Sequence, residues 1–415
     1  DVTLRHVTVD GDVDASRRDD AGGVVGYVKG TFSATDVTRT GATRATRFRA
    51  GGLVGVLIGD ATVSGTTVTG WSRVAADRAA GLFAWTQGNV DAVNVTVRNE
   101  GLPIGGGSDA GGVVGYVDGS VTLRNVDVRS DVEGTLVNAV VGGLVGLVTM
   151  DLSMTDVRHE GAVTAEQYAG GLVGQVNGML RAERASHEGS VKSLATGPAA
   201  AGGIVGRATD GMVMRTVSST SVVSATGTHA GGIVGMQTAS SDALPELSDA
   251  TFDGTVEAGH VAGGVFGSAM RGASVSDVVV RGSVKTRSGG EANMTGGVIG
   301  QAEGGSTIRR ATVTAAVEGQ GKVGGFIGYE NGKLTIEEAH YAGTTVTGTS
   351  EAVGGLVGRV TGDRAVIRDV RVSTGVAGTA SVGGLLGDAA GFTIERSVFE
   401  GTVTSSGAAA GGLVG

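Results

Sequence analysis

Residues Ala110 to Gly134 read AGGVVGYVDGSVTLRNVDVRSDVEG. Two patterns meet in this stretch. The first is a glycine hexapeptide, A-G-G-Φ-Φ-G, where Φ is apolar. The second is an alternating run, Val121-x-Leu123-x-x-Val126-x-Val128, that closes on Gly134. Period-two alternation of Val, Thr and Ile means short strands. The two-residue gap between Leu123 and Val126 breaks the alternation, so a corner belongs there. Asn125 precedes Val126, and Asn tolerates the left-handed region and bonds its own backbone, as a corner needs.

The hexapeptide recurs along the whole chain. Intact copies start at Ala21, Ala50, Ala110, Val141, Ala169, Ala201, Ala230, Ala262, Thr295, Val323, Val353, Val382 and Ala410. A worn copy, AAGLFA, occupies Ala79–Ala84. The fourteen copies lie 28 to 33 residues apart, about 30 on average. The alternating half follows each one, and its corner slot is often acidic or amide: Asp36, Asn94, Asn125, Asp156, Asp249, Asp277 and Asp369. No sustained 3.6 period appears, and glycines interrupt the windows a helix would need.

Thirty residues with about three short strands cannot bury an apolar face alone; stacked on copies of themselves they can. The expected fold is all-β: a parallel β-solenoid of about fourteen coils of roughly 30 residues. Right-handed winding is the favoured hand for parallel crossovers. At ~4.8 Å per coil that makes a rod of roughly 65 Å. Residues 1–415 form one continuous repeat array. The motif glycines supply either positive φ at a corner or close approach of two walls. The fourth and fifth motif slots are apolar in every copy, and on a flat strand they would face opposite ways. Whether one column faces outward is open at this stage. The slot just after the motif (Tyr27, Val56, Trp85, Gln175, Arg207) is mixed and reads as solvent-facing.

Composition narrows the function. Gly is 78 of 415 residues, against an ordinary ~7%. Cys is 0, which removes disulfides, thiolate metal sites and a Cys nucleophile. Net charge is −9, which disfavours nucleic acid and anionic membrane as partners. Basic residues are 27 Arg against 5 Lys, the bias of a GC-rich genome. The longest weakly polar run, Gly134 to Met150, is too short and too interrupted to span a bilayer. A dinucleotide fingerprint is spaced G-x-G-x-x-G and opens a helix; here the spacing is G-G-x-x-G and no helix follows.

The repeat resembles the GLUG motif family, named for its Gly-Leu-any-Gly core, through all fourteen hexapeptides. Similar repeats occur in large bacterial surface proteins, including adhesin-like proteins and non-catalytic regions of IgA-protease-type surface peptidases. The resemblance implies an exported, extracellular or cell-surface stalk or adhesive region. No H-E-x-x-H peptidase motif is present. The chain opens on half a repeat, Val2-x-Leu4-x-x-Val7-x-Val9, and stops at Gly415 on a glycine motif. Neither end reads as a cap, so a segment of a longer protein with open solenoid ends is expected.

Chemistry is sparse. His159 and His187 both stand in H-E-G, 28 residues apart at one slot of adjacent repeats. They would stack, as would Glu160 and Glu188, a set that suits a transition metal; the competing reading is a slot that accepted His twice, and it is preferred. Asp10-x-Asp12-x-Asp14 opens like a Ca²⁺ loop but has Ala15 and Ala21 where that loop needs Gly and Glu. Tyr27, Trp85, Tyr116 and Tyr329 share one slot, and only Trp85 and Tyr116 fall in adjacent coils. Thr67-x-Thr69 and Thr345-x-Thr347 would suit an ice-binding ladder but read as isolated. No G-x-S-x-G elbow appears.

The expectation is therefore a non-catalytic structural stalk or adhesive region, with no catalytic, cofactor or metal residues. The alternative is a carbohydrate-binding or carbohydrate-cleaving β-helix. Expected partners are a host or neighbouring-cell surface protein or glycan, or a second copy meeting an apolar face or an open end. Extra residues at Gly197–Ala200, Gln237–Leu244 and Arg287–Met294 should leave the coils as loops, the places for partner contact.

Overall fold

Val121–Arg129 forms one strand although its alternation breaks in the middle. Asn125 sits there at φ 52°. The left-handed residue shifts the alternation by one, so Leu123 and Val126 both point inward and are buried. The same slot is left-handed from coil to coil. All seven expected Asp and Asn positions have φ between 52° and 56°. His6, Arg184, Thr216, Arg310, Glu338 and Arg396 hold the slot at 45–53°, and Gly65 holds it at +59°.

The computed structural model describes residues 1–15, 20–75, 77–99, 101–238, 244–287, 292–362, 364–407 and 409–415. The fold is all-β, a parallel β-solenoid of about 13 turns, with no helix among the described residues. Each coil has three walls, shown here by one of them. The long wall carries Val121–Arg129 and Val132–Gly134. The two motif walls carry Asp109–Gly111 and Val114–Asp118. Motif pairs with motif: Gly111 lies on Gly142, and Val114 on Val145.

The hexapeptide spans the corner between the two motif walls. Its chain bends between the strands, so Val113 and Val114 both turn inward and both are buried. The same holds for Leu53 and Val54, Phe326 and Ile327, and Leu385 and Leu386. Neither apolar column faces outward.

Close approach, and not positive φ, explains the motif glycines; none of them is in the left-handed region. A Cβ on Gly111 would lie 2.0 Å from the Val114 carbonyl oxygen, inside its own turn. The second glycine is a seat. A Cβ on Gly112 would lie 2.2 Å from the Gly143 carbonyl oxygen and 2.5 Å from a Val128 methyl. The worn copy replaces the first and third glycines by Ala80 and Ala84 but keeps Gly81; the second slot is Gly in all fourteen copies.

The described residues cluster in two compact units. In the unit of residues 1–195 and 204–210, one core column over the glycine seats runs Val9, Arg39, Val68, Val97, Val128, His159, His187. In the unit of 196–203 and 211–415, the corresponding column runs Ser219, Phe252, Val280, Val313, Tyr341, Val372, Phe399.

Where described, the three expected insertions lie outside the strands except at single end residues. Gly197 to Ala199 lie outside strands, but Ala200 opens the strand Ala200–Gly202. Gln237 ends Val234–Gln237, and Met294 opens Met294–Gly296. Residues 239–243 and 288–291 of these segments lie outside the described residues.

Candidate functional site

His159 and His187 come together as the repeat requires. Their rings stack at 5.1 Å and 9°, and their Nδ1 atoms lie 3.0 Å apart. Both are buried. His159 Nε2 lies 2.9 Å from the Ser130 carbonyl oxygen, so it carries the proton and donates. His159 Nδ1 then accepts from His187 Nδ1–H, and the buried His187 Nε2 has no partner among the described residues. Burial holds His159 down at about 4. It also holds His187 well below the usual imidazole range, with His159 adding to the effect. Glu160 and Glu188 do not join them. They follow the histidines on the strand and so face the other way, where Arg158 bridges both at 3.2 and 3.3 Å. No cluster of three metal-ligating side chains occurs among the described residues.

The Asp10, Asp12 and Asp14 carboxylates also part. Asp10 accepts from the Thr40 hydroxyl, and Asp12 accepts from Ala42 N–H at 2.7 Å. Both lend charge to the buried Arg39, whose pKa burial lowers against their pull. Asp14 turns to a cavity beside Trp71.

In the aromatic slot Trp85 and Tyr116 are half-covered, while Tyr27 faces solvent as expected. Trp85 pairs with Tyr116 in register. Arg49 lies over Trp85 at 4.8 Å, and Arg78 over Tyr116 at 4.4 Å. These guanidiniums are tied down by carboxylates: Arg49 by Asp20 and Asp77, and Arg78 by Asp109 at 2.8 Å. Burial raises the Asp109 carboxyl, and Arg78 opposes it. Lys322 lies 5.9 Å over Tyr329, and Tyr27 is exposed.

Thr67-x-Thr69 is not isolated. Thr67 pairs with Thr38 and Thr96, Thr38 pairs with Thr8, and Thr69 pairs with Thr40. On Phe32–Thr35, Thr38–Thr40 and Ala61–Thr69, the outward side chains other than the corner residues are all Ser or Thr.

One feature escaped the repeat reading. Trp71 stands at the corner between Ala61–Thr69 and Ser72–Val74. It lines a cavity of about 530 Å³ with Asp14, Arg44, Arg73, Glu133 and Gly105. Asp14, Arg44, Arg73, Gly105 and Glu133 form one register column along successive coils. Gly105 leaves a gap in it, across which Arg73 reaches Glu133 at 3.0 Å. Arg44 lies over the Trp71 ring at 4.5 Å. Gly101 backs the Trp71 edge, 3.6 Å from Cδ1 to a Cβ built there. The sequence signal was an irregular coil between Ala80 and Gly111, rich in Gly and carrying Pro103.

No family model matches the chain, and no curated protein or solved structure is found similar to it.

Proposed function

We propose that this chain is a non-catalytic stalk or adhesive region of an exported bacterial cell-surface protein. The observation that carries the reading is how the outward charges are used. On the corner column they bind each other from coil to coil: Asp156 with Arg184, Asp277 with Arg310, Asp369 with Arg396. On the motif wall Arg359 joins Asp388 at 3.1 Å. Such side chains fasten coil to coil, which is what a load-bearing or spacing element needs. The resemblance of the hexapeptide to the GLUG motif supports the same reading. Antibodies to the purified chain should label intact, unpermeabilised cells of the source organism, and brief external protease should remove the label. Labelling only after permeabilisation would overturn it. The carbohydrate-binding alternative has one specific observation in its favour, the cavity beside Trp71.

A further inference from the structure

We infer that the cavity formed by Arg44, Trp71, Arg73, Glu133 and Asp14 binds an acidic saccharide, one carboxylate-bearing sugar seated on the two arginines. This rests on the adhesive half of the reading above and gives it a ligand class.

Arg44 differs from Arg49 and Arg78, the arginines stacked on the Trp85–Tyr116 pair. Arg49 and Arg78 are held by carboxylates. Among the described residues the Arg44 side chain has no hydrogen-bond or ion-pair partner; its guanidinium rests only on Trp71. A cation–π contact fixes the plane of a guanidinium while leaving its N–H edge free. That edge is the part that takes a carboxylate through two hydrogen bonds. Arg73 stands one coil away in register, held by Glu133 at 3.0 Å. The cavity, at about 530 Å³, lies within the ~300–1,000 Å³ of small-ligand sites.

The charge order along the column selects the ligand. It runs Asp14, Arg44, Arg73, Gly105, Glu133. A polyanion would meet a carboxylate at each end of the arginine pair. A uronic sugar would offer its single carboxylate to the arginines and its hydroxyls to Asp14 and Glu133 as acceptors. Thr46 and Thr135 add hydroxyls at the rim, and Gly105 leaves room above the backbone. An acidic peptide finds less here, since the column lies inside a sheet and leaves no free strand edge beside it.

Calorimetric titration of the whole chain with digalacturonate and with neutral galactobiose tests this. Digalacturonate should bind, and galactobiose should bind at least tenfold more weakly. R44A and R73A should each weaken digalacturonate binding at least tenfold, and W71A should weaken it by disordering Arg44. R396A, a paired arginine on the corner column, should bind as wild type. Arg44 is exposed, so R44A should keep the wild-type circular dichroism and melting temperature. Absence of digalacturonate binding, equal binding of the neutral sugar, or wild-type binding by R44A would each overturn the proposal. Those results leave the cell-labelling test of the stalk reading untouched, so the two fail separately.

Discussion

Thr216 and Asp249 occupy the same left-handed slot one coil apart, and the Thr216 hydroxyl donates to the Asp249 carboxylate at 2.9 Å. Both have φ 53°. For a β-branched residue that conformation is an outlier. The exposed hydrogen bond offsets only part of its strain.

Thr216→Gly should therefore stabilise the protein, by about 1 kcal/mol, since glycine enters this region freely. The reverse change at the same slot, Gly65→Thr at φ +59°, should destabilise by about 1–3 kcal/mol. Denaturant unfolding of the two variants checks the pair. A loss of stability in Thr216→Gly would mean that the side-chain ladder outweighs backbone strain.

The glycine seat makes a second comparison. A Cβ on Gly203 would lie 2.0 Å from the Gly232 carbonyl oxygen and 2.2 Å from Ser219 Oγ. Gly203→Val should cost more than Val205→Ala. The alanine variant loses two buried methyls, about 2 kcal/mol. The valine variant forces backbone apart, at roughly 1–3 kcal/mol or more, and has no flexible side chain to yield against that carbonyl. Equal or smaller loss in Gly203→Val would remove the steric account of the motif.

Acid should loosen the His159–His187 stack. Each ring is neutral and buried in the folded chain, with a folded pKa below the unfolded 6.5. The unfolded chain then binds more protons between about 4 and 6.5, so stability is complete above 6.5 and falls as pH drops towards 4. For His159 alone the loss is on the order of 3 kcal/mol. The double variant His159→Val, His187→Val places in this slot the residue that Val97 and Val128 already provide. Its melting temperature should fall less between pH 7 and pH 4 than that of the wild type. His229, held at about 4 by burial, leaves the double variant some acid dependence. Parallel pH profiles for the two proteins would refute the assignment.

Glu330 works in the opposite sense. It is buried in a column whose neighbours are Ala302 and Val360, and Gly305 N–H donates to its Oε1 at 3.2 Å. Burial raises its pKa. A raised carboxyl contributes fully below its unfolded pKa and loses that contribution as pH rises through the folded value. Glu330→Gln keeps the acceptor for Gly305 and removes the buried charge. It should raise the melting temperature at pH 8 and leave it unchanged at pH 4. Thermal melts at the two pH values decide it.

Repetition made the stacked walls and the corner slot legible. Asn125 and Asp156 announced that slot by residue type; Arg184 and Thr216 occupy it without any such sign and were placed only by the coils beside them. The inward turn of Val114 was not legible, because a strand reading assumes an unbroken direction and the bend before it resets the faces. Sequence also brought His159 onto His187, yet it could not say that Glu160 faces away until the strand was known to be continuous there. The Trp71 cavity was least visible. It depends on a corner of one coil, a missing side chain at Gly105 in the next coil, and an irregular segment near Gly101, none of which repeats.

The seat at the second glycine has a consequence for how such a chain diversifies. Because glycine contributes no bulk, the opposing core slot has accepted Val, Ser, His, Phe, Tyr and even Arg. A copied coil can therefore be inserted beside any other without a matched change in its neighbour. Gene duplication can lengthen the array, and drift can recolour its interior, so long as one small residue per coil is left alone.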